Sequence, residues 1–407
     1  MIKFLCALHE INLHFFKSLD MESSIDISTT DTTPGLYIHI PFCKSKCPYC
    51  SFYSVTSFTM IDEFLNALMS EMEMYRETFT RFDTVYIGGG TPSLLAIERF
   101  AGILANIRNT FTLSPNPEIT VEINPADSPQ EYLESLSRLG CNRLNIGIQS
   151  FDDKVLTFLK RRHSVREALD TIEAAGNAGF ENIGIDLIYG IPGQDMTSWL
   201  DTLSQALSLN LAHLSCYQLT IEAGTPLGLR HHRGEIVLPD EERQHAFFIR
   251  TSEILENAGY VHYEVSNFAR DISLASKHNQ KYWNHTSYLG LGPAAHSFMG
   301  HKRWWNHSSL DEYIGDIGAG KLPLASSEIL TKEQLHLEAL FLGLRTKRGI
   351  HLHNHSCRYG CDLISEKADA LARLVKAGFI EINEGRLQPT RTGLALADSL
   401  VSLLAFE

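Results

Sequence analysis

From residue 36 to about residue 220 the chain repeats one pattern six times: a short β-rich run, then a longer run with helical periodicity. The β-rich runs are 36–40, 84–87, 119–123, 143–148, 182–188 and 213–220. Helical runs between them cover 61–72, 93–109, 129–139, 165–178 and 196–209. In the first of these, Ile61, Phe64, Leu65, Leu68 and Met72 form a single apolar stripe. Strands alternating with helices pair in parallel, because a parallel connection needs a crossover of about a dozen residues or more. An open doubly wound sheet and a partial or complete barrel both satisfy that alternation.

Past Glu222 the rhythm stops. A helix is expected over 240–257, then a stretch rich in Gly, His, Asn and Trp over 259–310. Leu371, Leu374 and Val375 share a helical face that ends at Gly378. Residues 379–390 read as a hairpin turning at Asn383-Glu384-Gly385, and a final helix carries Leu394, Leu396, Leu400, Leu403 and Leu404. The expected organisation is a loosely ordered leader over 1–33, an α/β unit over 34–260, an extension and connector over 261–325, and a small winged-helix-like α+β domain over 326–407. The leader's apolar block runs only from Phe4 to Leu8, too short for a signal peptide, and Met21 is a second candidate start.

With 35 basic and 48 acidic residues the formal charge is −13, which opposes non-specific binding to nucleic acid or anionic lipid. No apolar run reaches the roughly 18 residues of a membrane helix. The eight cysteines are Cys6, Cys43, Cys47, Cys50, Cys141, Cys216, Cys357 and Cys361. Disulfide frameworks belong to small secreted chains, so a reducing, cytoplasmic setting is expected.

Cys43, Cys47 and Cys50, spaced C-x3-C-x2-C just after the first β run, are the most specific signal. Iron–sulfur clusters are held by thiolates, usually four, so three would leave one iron open. Zinc on the same three plus His39 is the competing reading, although His39 lies inside the β pattern. One unit later comes Gly88-Gly89-Gly90-Thr91-Pro92, whose three glycines remove every Cβ where a ligand could touch the backbone, and the following helix N-terminus offers free N–H groups to an anion. Polar residues then close successive β runs: Glu122 and Asn124, Gln149 and Ser150, with Asp186 inside an otherwise apolar fifth run. Chemistry at the same end of every strand is the barrel arrangement, so a partial barrel is expected.

CKSKCPYC after the first strand, GGGTP after the second, and Glu122, Gln149 and Asp186 beyond them resemble the radical S-adenosylmethionine (SAM) superfamily. LYIHIPFC, GGGTPS, VEINP, NIGIQSF and DLIYGIPGQ narrow the resemblance to the branch holding oxygen-independent coproporphyrinogen oxidase (HemN) and the HemW-type haem chaperones. It runs from about residue 36 to the C-terminus. The fold it implies is a partial TIM-type (β/α)6 barrel of the radical SAM type, followed by the small C-terminal domain. It also implies a 4Fe–4S cluster on Cys43, Cys47 and Cys50, with SAM on the fourth iron and an electron donor for the cluster. Implied SAM contacts are Tyr37, Tyr49, Gly89, Gly90, Thr91, Glu122, Gln149, Arg161 and Asp186, with Arg162 the alternative to Arg161. In this superfamily an electron from the cluster cleaves SAM to a 5′-deoxyadenosyl radical.

Two features separate the relatives. The oxidase pattern carries another cysteine two residues after the third, where this chain has Phe52. His278-Asn279-x-x-Tyr282-Trp283 matches the H-N-x-x-Y-W haem-binding motif of the HemW group. Histidine can ligate haem iron, and the two aromatics supply flat apolar surface. The resemblance thus implies a cytoplasmic haem chaperone with haem as cargo and acceptor haem proteins as partners, without nucleic acid or stable membrane insertion. Oxygen-independent coproporphyrinogen III oxidase is the alternative, and an RNA-modifying relative is disfavoured by the charge. Three other stretches are expected to be structural: the His351-His353-His355-Cys357-Cys361 series, His231-His232 in a loop, and Lys302-Arg303-Trp304-Trp305 as a solvated turn.

Overall fold

The computed structural model describes residues 32–406; the leader expected over 1–33 lies outside them save for its last two positions. Twelve strands form one sheet: β1 (Gly35–Ile40), β2 (Arg81–Gly89), β3 (Thr112–Ile123), β4 (Arg143–Gln149), β5 (Asn182–Tyr189), β6 (His213–Gln218), β7 (Val261–Glu264), β8 (Asn267–Ala269), β9 (Tyr288–Leu291), β10 (His296–Met299), β11 (Lys302–Asn306) and β12 (Leu324–Ile329). Their order is β12-β11-β10-β9-β1-β2-β3-β4-β5-β6-β8-β7. Strands β1 to β6 are neighbours in chain order and all parallel. Among the described residues the sheet's two ends do not pair, so the six βα units make a partial barrel.

Within β1 to β5, aliphatic and polar side chains alternate, and the pleat sends them to opposite faces. Ile38, Val85, Ile87, Val121, Leu144, Ile146, Ile185 and Leu187 enter the main core under the outer helices. The interleaved Tyr37, Tyr86, Glu122, Asn145 and Asp186 face the interior. The helix Ile61–Met74 lays its stripe on that core, with Phe64, Leu68 and Met72 fully buried. Each such side chain contributes about 1.5–3 kcal/mol of transfer free energy, so Phe64→Ala is expected to cost about 3–5 kcal/mol.

Residues beyond β6 lengthen the sheet at both edges. β9 pairs in parallel with β1, and β10, β11 and β12 continue antiparallel. On the other side β8 and β7 add antiparallel to β6. Lys302-Arg303-Trp304-Trp305 therefore lies within β11, not in a solvated turn. Arg303 is buried there because the Glu338 carboxylate reaches it from a distant helix. His231-His232 ends the helix Pro226–His232 and is not in a loop.

The C-terminal region has its own core of Leu340, Leu371, Leu374, Ile380, Leu387, Leu400 and Leu404. Its small sheet contains Ile350–His351 and a hairpin of Ile380–Asn383 with Arg386–Pro389. Both turn residues of that hairpin, Glu384 and Gly385, have positive φ (50° and 71°), the conformation that two-residue loops favour. The final helix is two pieces, Arg391–Ala395 and Ala397–Phe406, broken at Leu396. Among the described residues no helix is long and apolar enough to cross a membrane.

Candidate functional site

The loop after β1 is closed by its own backbone. Val55 N donates to Pro41 O at 2.7 Å, and Cys43 N donates to Val55 O at 3.0 Å. Cys43, Cys47 and Cys50 line one cavity of ≈ 190 Å³ with Gly89, Gly90, Thr91, Glu122, Gln149, Arg161 and Asp186. Thr91 Oγ1 donates to Cys43 Sγ at 3.6 Å, and Arg161 Nη1 to Cys47 Sγ at 3.5 Å. His39 is not with them. Its Nδ1 is 3.0 Å from Tyr37 OH and its Nε2 2.9 Å from Tyr53 O, and burial lowers its pKa to about 4. Both ring nitrogens are thus engaged, which removes the fourth ligand that a zinc site would need. Among the described residues no three His, Cys, Asp or Glu side chains converge on the position of a single ion. Three sulfurs spread along one cavity wall suit a multi-iron cluster, so the donor set fits the group that the motif implies.

The glycine turn serves packing before it serves a ligand. A Cβ on Gly88 would lie 2.8 Å from the Glu122 carboxylate, one on Gly89 2.5 Å from His39 Nδ1, and one on Gly90 2.6 Å from Phe42 O. The space that a side chain would take is filled by the protein itself, while the backbone of Gly89 and Gly90 lines the cavity.

Glu122 and Asp186 reach the site from β3 and β5, on either side of Asn145 in β4. Tyr86 OH donates to Glu122 Oε1 at 2.7 Å and Gly89 N to Oε2 at 3.1 Å. Asn145 Nδ2 donates to Asp186 at 2.8 Å. Burial, with the Asp186 charge adding to it, raises Glu122 to about 6 despite its hydrogen bonds. Burial raises Asp186 as well. Gln149 sits where the β4–β5 register shifts, with φ of 72°, the kind of bulge that re-aims a side chain next to a site. Arg161 is half-buried and donates to Gly147 O at 2.7 Å, while Arg162 turns away to pair with Asp127. Of the two arginines, Arg161 faces the thiols.

A second cavity of ≈ 260 Å³ continues inward and shares Tyr49, Phe52, Glu122, Asn145, Gln149 and Asp186 with the first. Its far wall is the helix Lys277–Trp283, which carries HNQKYW. Glu118 accepts from Lys277 N and His278 N, both at 3.0 Å, anchoring the helix start. His278 Nδ1 is 2.9 Å from Thr84 Oγ1, its Nε2 is 3.0 Å from Tyr282 OH, and its ring stacks on Tyr86 at 5.2 Å. Burial, then the charges of Lys281 and Arg143, lower its pKa to about 3, so the imidazole is neutral. His278, Asn279 and Tyr282 line this cavity together with Tyr37. Trp283 does not: it packs with Tyr288, Phe298 and Leu335 towards the C-terminal region. Tyr86, Asn145 and Tyr217 also line the cavity and were not singled out by motif. The polar half of the strand alternation is the signal that marks them.

The His351–Cys361 series does not assemble into a site. His355 Nε2 is 2.8 Å from His336 Nδ1, Cys357 Sγ is 3.6 Å from His353 Nε2, and Cys361 points to Glu366.

A six-unit partial barrel with three thiols at its first loop defines a radical SAM protein, and the superfamily profile matches residues 37–206. The profile of the HemN C-terminal domain matches residues 330–396. The chain is 34% identical over 376 residues to the heme chaperone HemW of Mycobacterium tuberculosis, covering 91% of this chain and 94% of that protein. It is 34% identical over 370 residues to the heme chaperone HemW of Bacillus subtilis, covering 89% and 97%. Mouse radical S-adenosyl methionine domain-containing protein 1, mitochondrial, is 32% identical over 391 residues, covering 92% and 88%. The solved structure of the Escherichia coli coproporphyrinogen III oxidase HemN superposes with a TM-score of 0.80 at 23% identity, covering 93% of this chain and 92% of that one, a likeness of fold. Within the radical SAM superfamily, the chain belongs to the HemW family.

Proposed function

We propose that the chain is a cytoplasmic haem chaperone that takes haem as cargo and passes it to acceptor haem proteins, with a 4Fe–4S cluster on Cys43, Cys47 and Cys50 and SAM beside it. When bound, that pair supplies one-electron chemistry. The chain's own part is to position and to exclude water. Thr91 and Arg161 donate to two of the sulfurs, and Glu122 and Asp186 would serve as hydrogen-bond acceptors for SAM in the same cavity. Tyr37, Tyr49, Gly89, Gly90 and Gln149 complete the cofactor wall. An external electron donor is the further partner; nothing in the −13 charge calls for nucleic acid.

The charge of the inner cavity carries this reading over the oxidase. Haem brings two carboxylates and coproporphyrinogen four, so the porphyrinogen needs more cations around it, because unpaired buried charge is costly. The lining contains Glu122 and Asp186 and, among the described residues, no lysine or arginine. Phe52, at the oxidase's extra cysteine position, faces this cavity.

His278 is the proposed axial ligand, with Asn279 and Tyr282 beside the macrocycle; Trp283, the last residue of the motif, packs behind the helix and supports it from the other side. Since both nitrogens of His278 are engaged, ligation requires the imidazole to give up Thr84 or Tyr282. Haem titration tests this. About one haem per chain is expected, with His278→Ala weakening binding about tenfold or more, a loss of about 1.4 kcal/mol. Coproporphyrinogen should not be consumed with cluster, SAM and reductant present. Turnover, with haem binding indifferent to His278, assigns the chain to the oxidase side.

A further inference from the structure

We infer that Asp127 is a positioning residue that locks the thiol loop against Arg161. The inference rests on the reading that Cys43, Cys47 and Cys50 hold a cluster. Asp127 ends the short turn Pro125–Asp127 that follows β3. That turn is fixed from two sides: Asn124 Oδ1 accepts from Ala126 N at 3.4 Å, and Thr171 Oγ1 donates to Pro125 O at 3.2 Å. The Asp127 side chain is 1% exposed, and two cations converge on it through three nitrogens. Lys44 Nζ lies 2.6 Å from Oδ1, and Arg162 is bidentate at 2.7 and 3.0 Å.

The neighbours of those donors give the cluster its meaning. Lys44 follows Cys43, and Arg162 follows Arg161, the residue whose guanidinium donates to Cys47 Sγ. One carboxylate therefore ties down the thiol loop and the arginine segment at once. Lys44 and Arg162 are 49% and 28% exposed, and either alone would be a weak surface pair. A buried carboxylate shared by both, one arm bidentate, is a stronger joint. Asp127 touches neither sulfur nor cofactor; it acts through Arg161. Hydrogen bonds to sulfur help set cluster potentials, so freeing the joint should be legible in the potential.

The experiment uses the full chain, reconstituted anaerobically as wild type, Asp127→Asn, Arg161→Gln and the double variant. Midpoint potential is followed by electron paramagnetic resonance in a dye-mediated redox titration. In parallel, iodoacetamide alkylation of Cys43, Cys47 and Cys50 is followed in the apo chain by mass spectrometry. Asp127→Asn should shift the potential in the same direction as Arg161→Gln, with the double variant no further than Arg161→Gln alone. Apo-chain alkylation should quicken several-fold. Wild-type potential and alkylation rate in Asp127→Asn, or full additivity with Arg161→Gln, would overturn the inference. Should Asp127→Asn fail to fold, Lys44→Met and Arg162→Met each remove one arm, and the same shifts are expected of them. No iron uptake by the wild type would sink the cluster reading instead, and the alkylation arm would still decide whether the joint exists.

Discussion

Gly89 has φ of 105°, and a side chain there would meet the His39 ring. Both facts concern the protein's own packing. Gly89→Ala is therefore expected to cost about 2–4 kcal/mol through backbone strain and overpacking, read as a lower urea midpoint even without any cofactor. Glu71 is a different case. It is fully buried, yet accepts from Gly292 N at 2.8 Å, Asn306 Nδ2 at 2.6 Å and Tyr313 OH at 2.6 Å. Burial outweighs those bonds and pushes its carboxyl from 4.5 to about 7. A carboxyl raised on folding favours the protonated native state. Its stabilising share is present below pH ~4.5 and lost as pH rises through ~7, on the order of 3 kcal/mol in all. Denaturant unfolding at pH 5 and pH 8 should show wild type losing stability relative to Glu71→Gln across that interval. Parallel curves for the two proteins would mean that Glu71 stays ionised in the fold.

The helix Lys277–Trp283 is short and carries both the proposed haem ligand and its restraints. Its first two N–H groups are accepted by Glu118, and Lys281 pairs with Asp83 at 2.6 Å and donates to Thr33 O at 2.7 Å. Helix starts leave such N–H groups unsatisfied, and a carboxylate there also meets the favourable end of the dipole. Glu118→Gln keeps one acceptor and loses the charge. If haem reaches His278 by displacing this helix, stopped-flow association should be several-fold faster in Glu118→Gln. An unchanged rate would place haem entry elsewhere.

At the scale of the whole molecule, one buried joint ties the sheet edge to the C-terminal region. Glu338, on the helix Lys332–Gly343, meets Arg303 of β11 and lies 3.3 Å from His285 Nε2; His285 Nδ1 is 3.1 Å from Tyr359 OH. His285 comes two residues after the HNQKYW helix, so that helix and the C-terminal region share the contact. Removing Glu338 would leave Arg303 only its longer pair with Glu328, at 3.5 Å, and breaking a buried pair costs about 3–5 kcal/mol. Glu338→Ala should lower the unfolding midpoint by that much and make the chain between β12 and residue 332 more sensitive to limited proteolysis. Arg303→Met with Glu338→Leu, which removes both charges, should recover most of the loss.

Much of this was legible in residue order. The six βα units were visible because apolar period and strand length are local properties, and the thiol loop because its three cysteines lie within eight positions of one another. The polar ends of β3, β4 and β5 announced a site for the same reason: each is set by its own strand. What the order of residues could not convey depends on distant partners. Arg303 in KRWW reads as a solvated cation until Glu338 folds back on it, and residues 259–310 read as irregular because β9 to β11 are too short to show a period before they pair. Arg161 and Arg162 are indistinguishable as letters; Asp127 and Cys47, brought close only by the barrel, give one to each. The glycines of GGGTP are local letters, but that His39, Phe42 and Glu122 pack where their side chains would stand is a tertiary contact the letters do not show. Local patterning determined the barrel and the thiol loop, since both arise from contacts a few residues apart. The inner cavity, the burial of His278 and the joint at Glu338 were decided by tertiary structure, because burial and charge pairing exist only once remote segments meet.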